Sequence, residues 1–112
     1  MEFSGKVVEG QKRGKELGFP TINIPLNVAT VSGIYAARVK VGEESYEAAA
    51  YADPKRGVLE AHLLDFDQDL YGWQVTIELC KKIRESKKFT DAEELQDAIV
   101  RDIVEIRKFF VD

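Results

Sequence analysis

The sequence predicts an α+β fold dominated by β structure, a small antiparallel barrel with one C-terminal helix. Three observations lead there. Apolar and polar residues alternate with period two in several stretches, most clearly over residues 33–41 and 73–80. Turn-forming clusters, Gly42-Glu43-Glu44 and Asp53-Pro54-Lys55-Arg56-Gly57, punctuate those stretches. From Thr90 onward the apolar spacing changes to that of a helix. A sheet of such short strands would expose unpaired edges, and closing or nearly closing it into a barrel removes them.

Taken in order, residues 3–9 carry Val7 and Val8 among polar neighbours and read as a first strand. A loop follows in which Gly10, Gly14 and Gly18 are interleaved with Lys12, Arg13 and Lys15. Pro20 fixes its own φ and biases Phe19 toward an extended backbone, so the loop should end in a short strand with Thr21 and Asn23 facing one way. Residues 24–32 are mixed and read as irregular. Over residues 33–41, Tyr35, Ala37, Val39 and Val41 form one face and Arg38 and Lys40 the other. The Gly42-Glu43-Glu44 turn sends the chain back through a partner strand over residues 45–51.

After the 53–57 turn, residues 58–64 form a strand with Leu59, Ala61 and Leu63 toward the core and Glu60, His62 and Leu64 on the other face. A loop over residues 65–69 closes at Leu70-Tyr71-Gly72. Residues 73–80 then alternate, with Trp73, Val75, Ile77 and Leu79 inward. Thr90 with Glu93 three residues on reads as a capping box for a helix over 91–110, whose apolar stripe is Ala92, Leu95, Ile99, Ile103, Ile106 and Phe110.

With 112 residues, 45% of them hydrophobic and 32% charged, the chain is expected to form a single domain over 1–112. A net charge of −4 argues against a general nucleic-acid or membrane-surface binder, which needs an extended basic face. One cysteine, Cys80, and one histidine, His62, leave no cysteine or histidine metal cluster and no internal disulfide. With no secretory leader pattern and no bilayer-length apolar run, a cytoplasmic protein is expected. Asp65, Asp67 and Asp69 imitate the start of an EF-hand, but Leu70 replaces the required glycine and Thr76 the bidentate glutamate, so calcium is rejected.

Two features point to chemistry. The loop over residues 10–18 combines glycines, whose backbone can turn amide groups toward an anion, with matching cations. Thr21 and Asn23 beside it offer the hard oxygens that suit phosphate-bound Mg²⁺. The plainer alternative is a solvated basic loop before an edge strand. A Walker P-loop is excluded: the segment from Gly10 to Gly14 is too short, and Glu16 stands where Ser or Thr should follow Lys15. The second feature is Glu60, a carboxylate inside an otherwise apolar strand, where burial favours the protonated form and suits a general base. Its alternative is a salt bridge to Arg38 or Arg84.

The order Gly10-x-x-x-Gly14-Lys15-x-Leu17-Gly18-Phe19-Pro20-Thr21-x-Asn23, then Gly33-Ile34-Tyr35-Ala36, Leu59-Glu60-x-His62-Leu63-Leu64-Asp65-Phe66, Leu70-Tyr71-Gly72 and Ile83-Arg84-x-x-Lys87-Lys88-Phe89 resembles the ATP-dependent riboflavin kinases over nearly the whole chain. The resemblance implies a six-stranded antiparallel barrel with a C-terminal helix, and the reaction of riboflavin with ATP to give FMN and ADP. It implies Thr21 and Asn23 as the Mg²⁺ and phosphate contacts, with Gly10, Lys15, Gly18 and Pro20 in the stretch that covers the nucleotide. Tyr71 would border the nucleotide, Glu60 would be the base, and Arg84 and Phe89 would close over the flavin. The implied partners are riboflavin/FMN and ATP/ADP, with no nucleic acid and no membrane, and a monomer is expected. The chain departs from the family pattern in its shorter 53–57 turn and in Ser86, where an acidic residue is common. Those departures motivate an alternative, a non-catalytic flavin- or nucleotide-binding module on the same barrel.

Overall fold

The computed structural model describes residues 1–10 and 13–111. Among the described residues six strands are present, β1 (Glu2–Lys6), β2 (Ile22–Pro25), β3 (Gly33–Val41), β4 (Glu44–Asp53), β5 (Val58–Leu63) and β6 (Gln74–Arg84). The helices among the described residues are the single turn α1 (Arg13–Glu16) and the long α2 (Ala92–Val111). The strands form one antiparallel sheet in the order β1-β6-β3-β4-β5-β2. Its two outer strands meet where Val8 bridges Asn23, with the Val8 amide donating to the Asn23 carbonyl at 2.8 Å, so the sheet is a nearly closed barrel.

The alternation read from the sequence is what fills the barrel. Val39, Leu59, Ala61, Val75 and Ile77 are almost wholly buried and join Ile24 in one interior cluster. Burying each of the valine, leucine and isoleucine side chains stabilises by roughly 1.5–3 kcal/mol. Outside the barrel α2 lays Ile106 against Ala36 and Leu64, with Ile83, Ile103 and Phe110 around them. Among the described residues no helix is long and apolar enough to cross a membrane.

Two hairpins set the register. Gly42 takes φ 62° in the two-residue turn between β3 and β4, a conformation that a residue with a Cβ rarely adopts, and Val41 pairs with Glu44. The 54–57 turn pairs Asp53 with Val58. In consequence Glu60 lies opposite Tyr51 of β4 on one side and opposite Asn23 of β2 on the other.

Several expectations need correction. The first strand ends at Lys6, and only the Val8 bridge continues it. Pro25 closes β2, so the stretch expected to be irregular starts as strand. The glycine-rich loop contains the turn of helix α1, which glycine content hides. Trp73 is 55% exposed rather than inward, because it sits just before β6 and uses only its backbone, between Leu70 and Val7, to hold the structure. β6 runs on to Arg84 through Lys81 and Lys82, which pair with β3 across register shifts despite their polarity. Asp91, not Thr90, caps α2: its Oδ1 accepts the Glu93 amide at 2.9 Å. Ala92 is exposed, and the buried stripe instead takes in Ala98 and Asp102.

Candidate active site

Two cavities of similar size lie side by side, and Thr21 lines both. The first, of about 490 Å³, is walled by Glu60 and Arg56, by Phe19, and by Arg84 and Phe89 across from them. The second, of about 480 Å³, is walled by Gly10, Lys15, Pro20, Asn23 and Tyr71. Each is large enough for a ligand of the size of a nucleoside.

Glu60 lines the first cavity beside Thr21, the residue that both cavities share. One of its oxygens, Oε1, accepts a hydrogen bond from Thr21 Oγ1 at 3.3 Å, and Oε2 accepts Arg56 Nη2 at 2.5 Å. The partner is therefore Arg56, four residues back across the turn, and neither Arg38 nor Arg84. Arg38 lies over the Phe110 ring at 4.7 Å. Arg84 is held by Asp102. Burial raises the Glu60 pKa; Arg56 and the Thr21 hydrogen bond pull it back, while Asp53 adds to the rise, and the net direction is upward.

His62, next on the same face, has a structural task. Its Nδ1–H donates to the Pro20 carbonyl at 2.7 Å and its ring meets Phe19 edge-on at 5.6 Å. It thereby fixes the Phe19-Pro20 step that leads into Thr21.

Asn23 is 5% exposed and its Oδ1 has no hydrogen-bond partner among the described residues. A buried amide oxygen left unpaired costs stability unless something else uses it. Gly10 lies against this side chain so closely that a Cβ there would come within 2.4 Å of Asn23 Nδ2. Among the described residues no group of three His, Cys, Asp or Glu could hold a metal by itself. The donors at hand, Asn23 Oδ1 and Thr21 Oγ1, are neutral hard oxygens, a set that suits Mg²⁺ when phosphates supply the remaining ligands.

Across the first cavity, Arg84 donates from Nε and Nη2 to both oxygens of Asp102, each at 2.8 Å, and from Nη1 to the Glu85 carbonyl at 3.0 Å. Its guanidinium carbon is 6.0 Å from the Phe89 ring centre. Thus a buried aspartate on α2 anchors the start of the segment between β6 and α2.

Of the residues singled out in the sequence, Gly10, Lys15, Pro20, Thr21, Asn23 and Tyr71 come together around the second cavity, and Glu60, Arg84 and Phe89 around the first. Gly18 lines neither; its φ of 92° and its amide bond to the Lys15 carbonyl at 3.1 Å terminate α1. Lys12 lies outside the described residues. Arg56 and Asp102 were missed. A cation four residues before the odd carboxylate, across a turn, signalled the first. An aspartate three residues after Ile99, in step with the apolar stripe, signalled the second.

A riboflavin kinase family model, Flavokinase, matches residues 1–110. The chain belongs to the riboflavin kinase family. Its relatives include the bifunctional riboflavin kinase/FMN adenylyltransferase of Escherichia coli K12, 40% identical over 117 residues that cover 96% of this chain and 37% of that protein. This chain therefore spans well under half the length of that riboflavin kinase relative. A riboflavin kinase structure from Trypanosoma brucei superposes with a TM-score of 0.71 at 28% identity, covering 99% of this chain and 77% of that one. A structure described as a macrolide-efflux protein from Streptococcus pneumoniae superposes with a TM-score of 0.81 at 30% identity, covering 95% of this chain and 38% of that one. The six-stranded barrel with its C-terminal helix is thus the riboflavin kinase fold.

Proposed function

We propose that residues 1–112 form one domain that phosphorylates riboflavin, transferring the γ-phosphoryl group of ATP to the terminal ribityl hydroxyl and giving FMN and ADP. The observation that supports this best is the meeting of two nucleoside-sized cavities at Thr21 with a carboxylate at the junction. Phosphoryl transfer asks the protein mainly for positioning, charge stabilisation and a base near the nucleophile.

In this reading riboflavin occupies the first cavity, with Arg84 and Phe89 over the flavin and the ribityl end toward Glu60. ATP occupies the second cavity, bordered by Tyr71, with Gly10, Lys15, Gly18 and Pro20 in the stretch that covers its phosphates. The hydroxyl oxygen attacks the γ-phosphorus and its proton passes to Glu60. The bond from phosphorus to the β,γ-bridging oxygen breaks and its electron pair leaves with ADP. Thr21 and Asn23 would hold Mg²⁺, which when bound offsets the negative charge of the phosphate oxygens. A monomer suffices, since one chain supplies both cavities, and the cytoplasm supplies ATP. Incubation with riboflavin, ATP and Mg²⁺ should give FMN on chromatography; both ligands bound with no FMN formed would overturn the reading.

Thr21→Ala and Asn23→Ala should each lower kcat/KM for MgATP by roughly 10²-fold, because both remove an oxygen from the phosphate side. Riboflavin affinity should change much less. Normal dependence on Mg²⁺ and ATP in either variant would place the metal elsewhere.

Gly10→Ala should act in the same direction without removing a ligating atom. Its methyl group would have to displace the Asn23 amide. A shift of about 1 Å in such a group can cost ~10²-fold in turnover. Steady-state kinetics with ATP varied would detect it, and unchanged kinetics in a folded variant would show that Asn23 can move without consequence.

A further inference from the structure

The cation at the junction has a use beyond holding Glu60. We infer that Arg56 is a product-binding residue that turns from Glu60 onto the phosphate of FMN as the phosphoryl group arrives, an inference that rests on Glu60 being the base. A base must lie within about 2.6–3.2 Å of the hydroxyl oxygen that it deprotonates. That oxygen becomes the ester oxygen of the FMN phosphate. Arg56 Nη2 is 2.5 Å from the other oxygen of the same carboxylate, so the new phosphate forms within a few ångströms of the guanidinium.

The backbone is tied down here, and the guanidinium keeps contacts besides that with Glu60. Gly57 donates to the Pro54 carbonyl at 3.2 Å and accepts from the Leu26 amide at 2.8 Å, and the Arg56 amide donates to Asp53 Oδ1 at 3.4 Å. Asp53, itself bonded by Tyr51 Oη at 3.3 Å, also meets Arg56 Nε at 3.3 Å and can serve as the pivot. The Arg56 side chain keeps 31% of its surface exposed, whereas Glu60 keeps 17%.

Charge gives the direction of the exchange. A phosphate monoester carries nearly two negative charges and offers three oxygens to the planar guanidinium fork, more than one carboxylate can offer. The guanidinium of Arg84, which also lines the cavity, has its Nε and Nη2 committed to Asp102 and its Nη1 to the Glu85 carbonyl. The shorter 53–57 turn of this chain thus supplies a cation on the product side.

The test is the affinity for FMN relative to riboflavin, measured by flavin fluorescence titration of the whole chain. Arg56→Ala should weaken FMN binding about tenfold while riboflavin binding stays within about twofold. Arg56→Gln, which keeps a donor for Glu60 but not the charge, should do the same, and Arg56→Lys should recover part of the loss. Lys55→Ala, an exposed cation on the same turn, should leave the ratio alone. A ratio unchanged in both Arg56→Ala and Arg56→Gln, or an equal loss of both flavins, would overturn the inference. This binding ratio is decided without turnover, so failure of the unaltered chain to form FMN would count separately, against the kinase reading.

Discussion

Glu60→Gln is expected to lower kcat by ~10²–10⁴-fold while both riboflavin and ATP still bind. The base is needed as the proton leaves in the transition state, and an amide cannot accept it. The fold should tolerate the change. Burial raises the folded pKa of Glu60 above that of the unfolded chain, so the native state binds this proton more tightly than the unfolded state does. The carboxylate therefore costs stability above the raised pKa, and that cost disappears as the pH falls through it. Gln carries no such cost, and Arg56 retains Asp53 as a partner. A variant with normal kcat and a lowered Tm would instead make Glu60 an ion-pair residue alone. Measuring both quantities on one preparation separates the outcomes.

Asp102→Ala should cost about 2 kcal/mol and roughly 10 °C in Tm, and should also weaken riboflavin binding. Removing one partner of a buried pair leaves the other charge unanswered, although the 29% exposure of Arg84 moderates the loss. The flavin effect follows from position: Asp102 fixes the arginine from which the segment carrying Phe89 departs. Replacing both charges, Asp102→Leu with Arg84→Met, should restore much of the stability, because apolar residues of similar size can substitute for a buried pair. Riboflavin binding should not return with it. If the double variant recovers both, the pair serves the fold alone.

The central strands and the helix could be read from periodicity because a period of two or 3.6 records which side of an element is buried, and burial dominates the energy of both. β3, β5 and the helix stripe around Ile106 were legible for that reason. So were Thr21, Asn23 and Glu60 as odd residues in their settings, and the 42–43 and 54–57 turns. Element ends were less legible, since they depend on single hydrogen bonds such as Asp91 to the Glu93 amide. Trp73 was placed on the wrong side because apolar character says nothing of whether a residue lies inside the strand or one position before it.

Local pattern thus settles which face of a strand or helix lies toward a core, which segments turn, and which residues are chemically out of place. It does not settle which of them meet. That Glu60 answers to Arg56 rather than to Arg38 or Arg84 follows from β5 lying between β4 and β2, with the 54–57 turn folded back over its start. That Asp102 receives Arg84 follows from where α2 crosses the sheet. Thr21, which both cavities share, lies two residues before the point where the outer strands of the sheet close on each other at Val8 and Asn23. Arg84 and Asp102, like Val8 and Asn23, lie well apart in the chain, and Arg56, although only four residues from Glu60, is one of several cations that could answer it; the choice depends on distance and burial in three dimensions, which spacing along the chain does not encode.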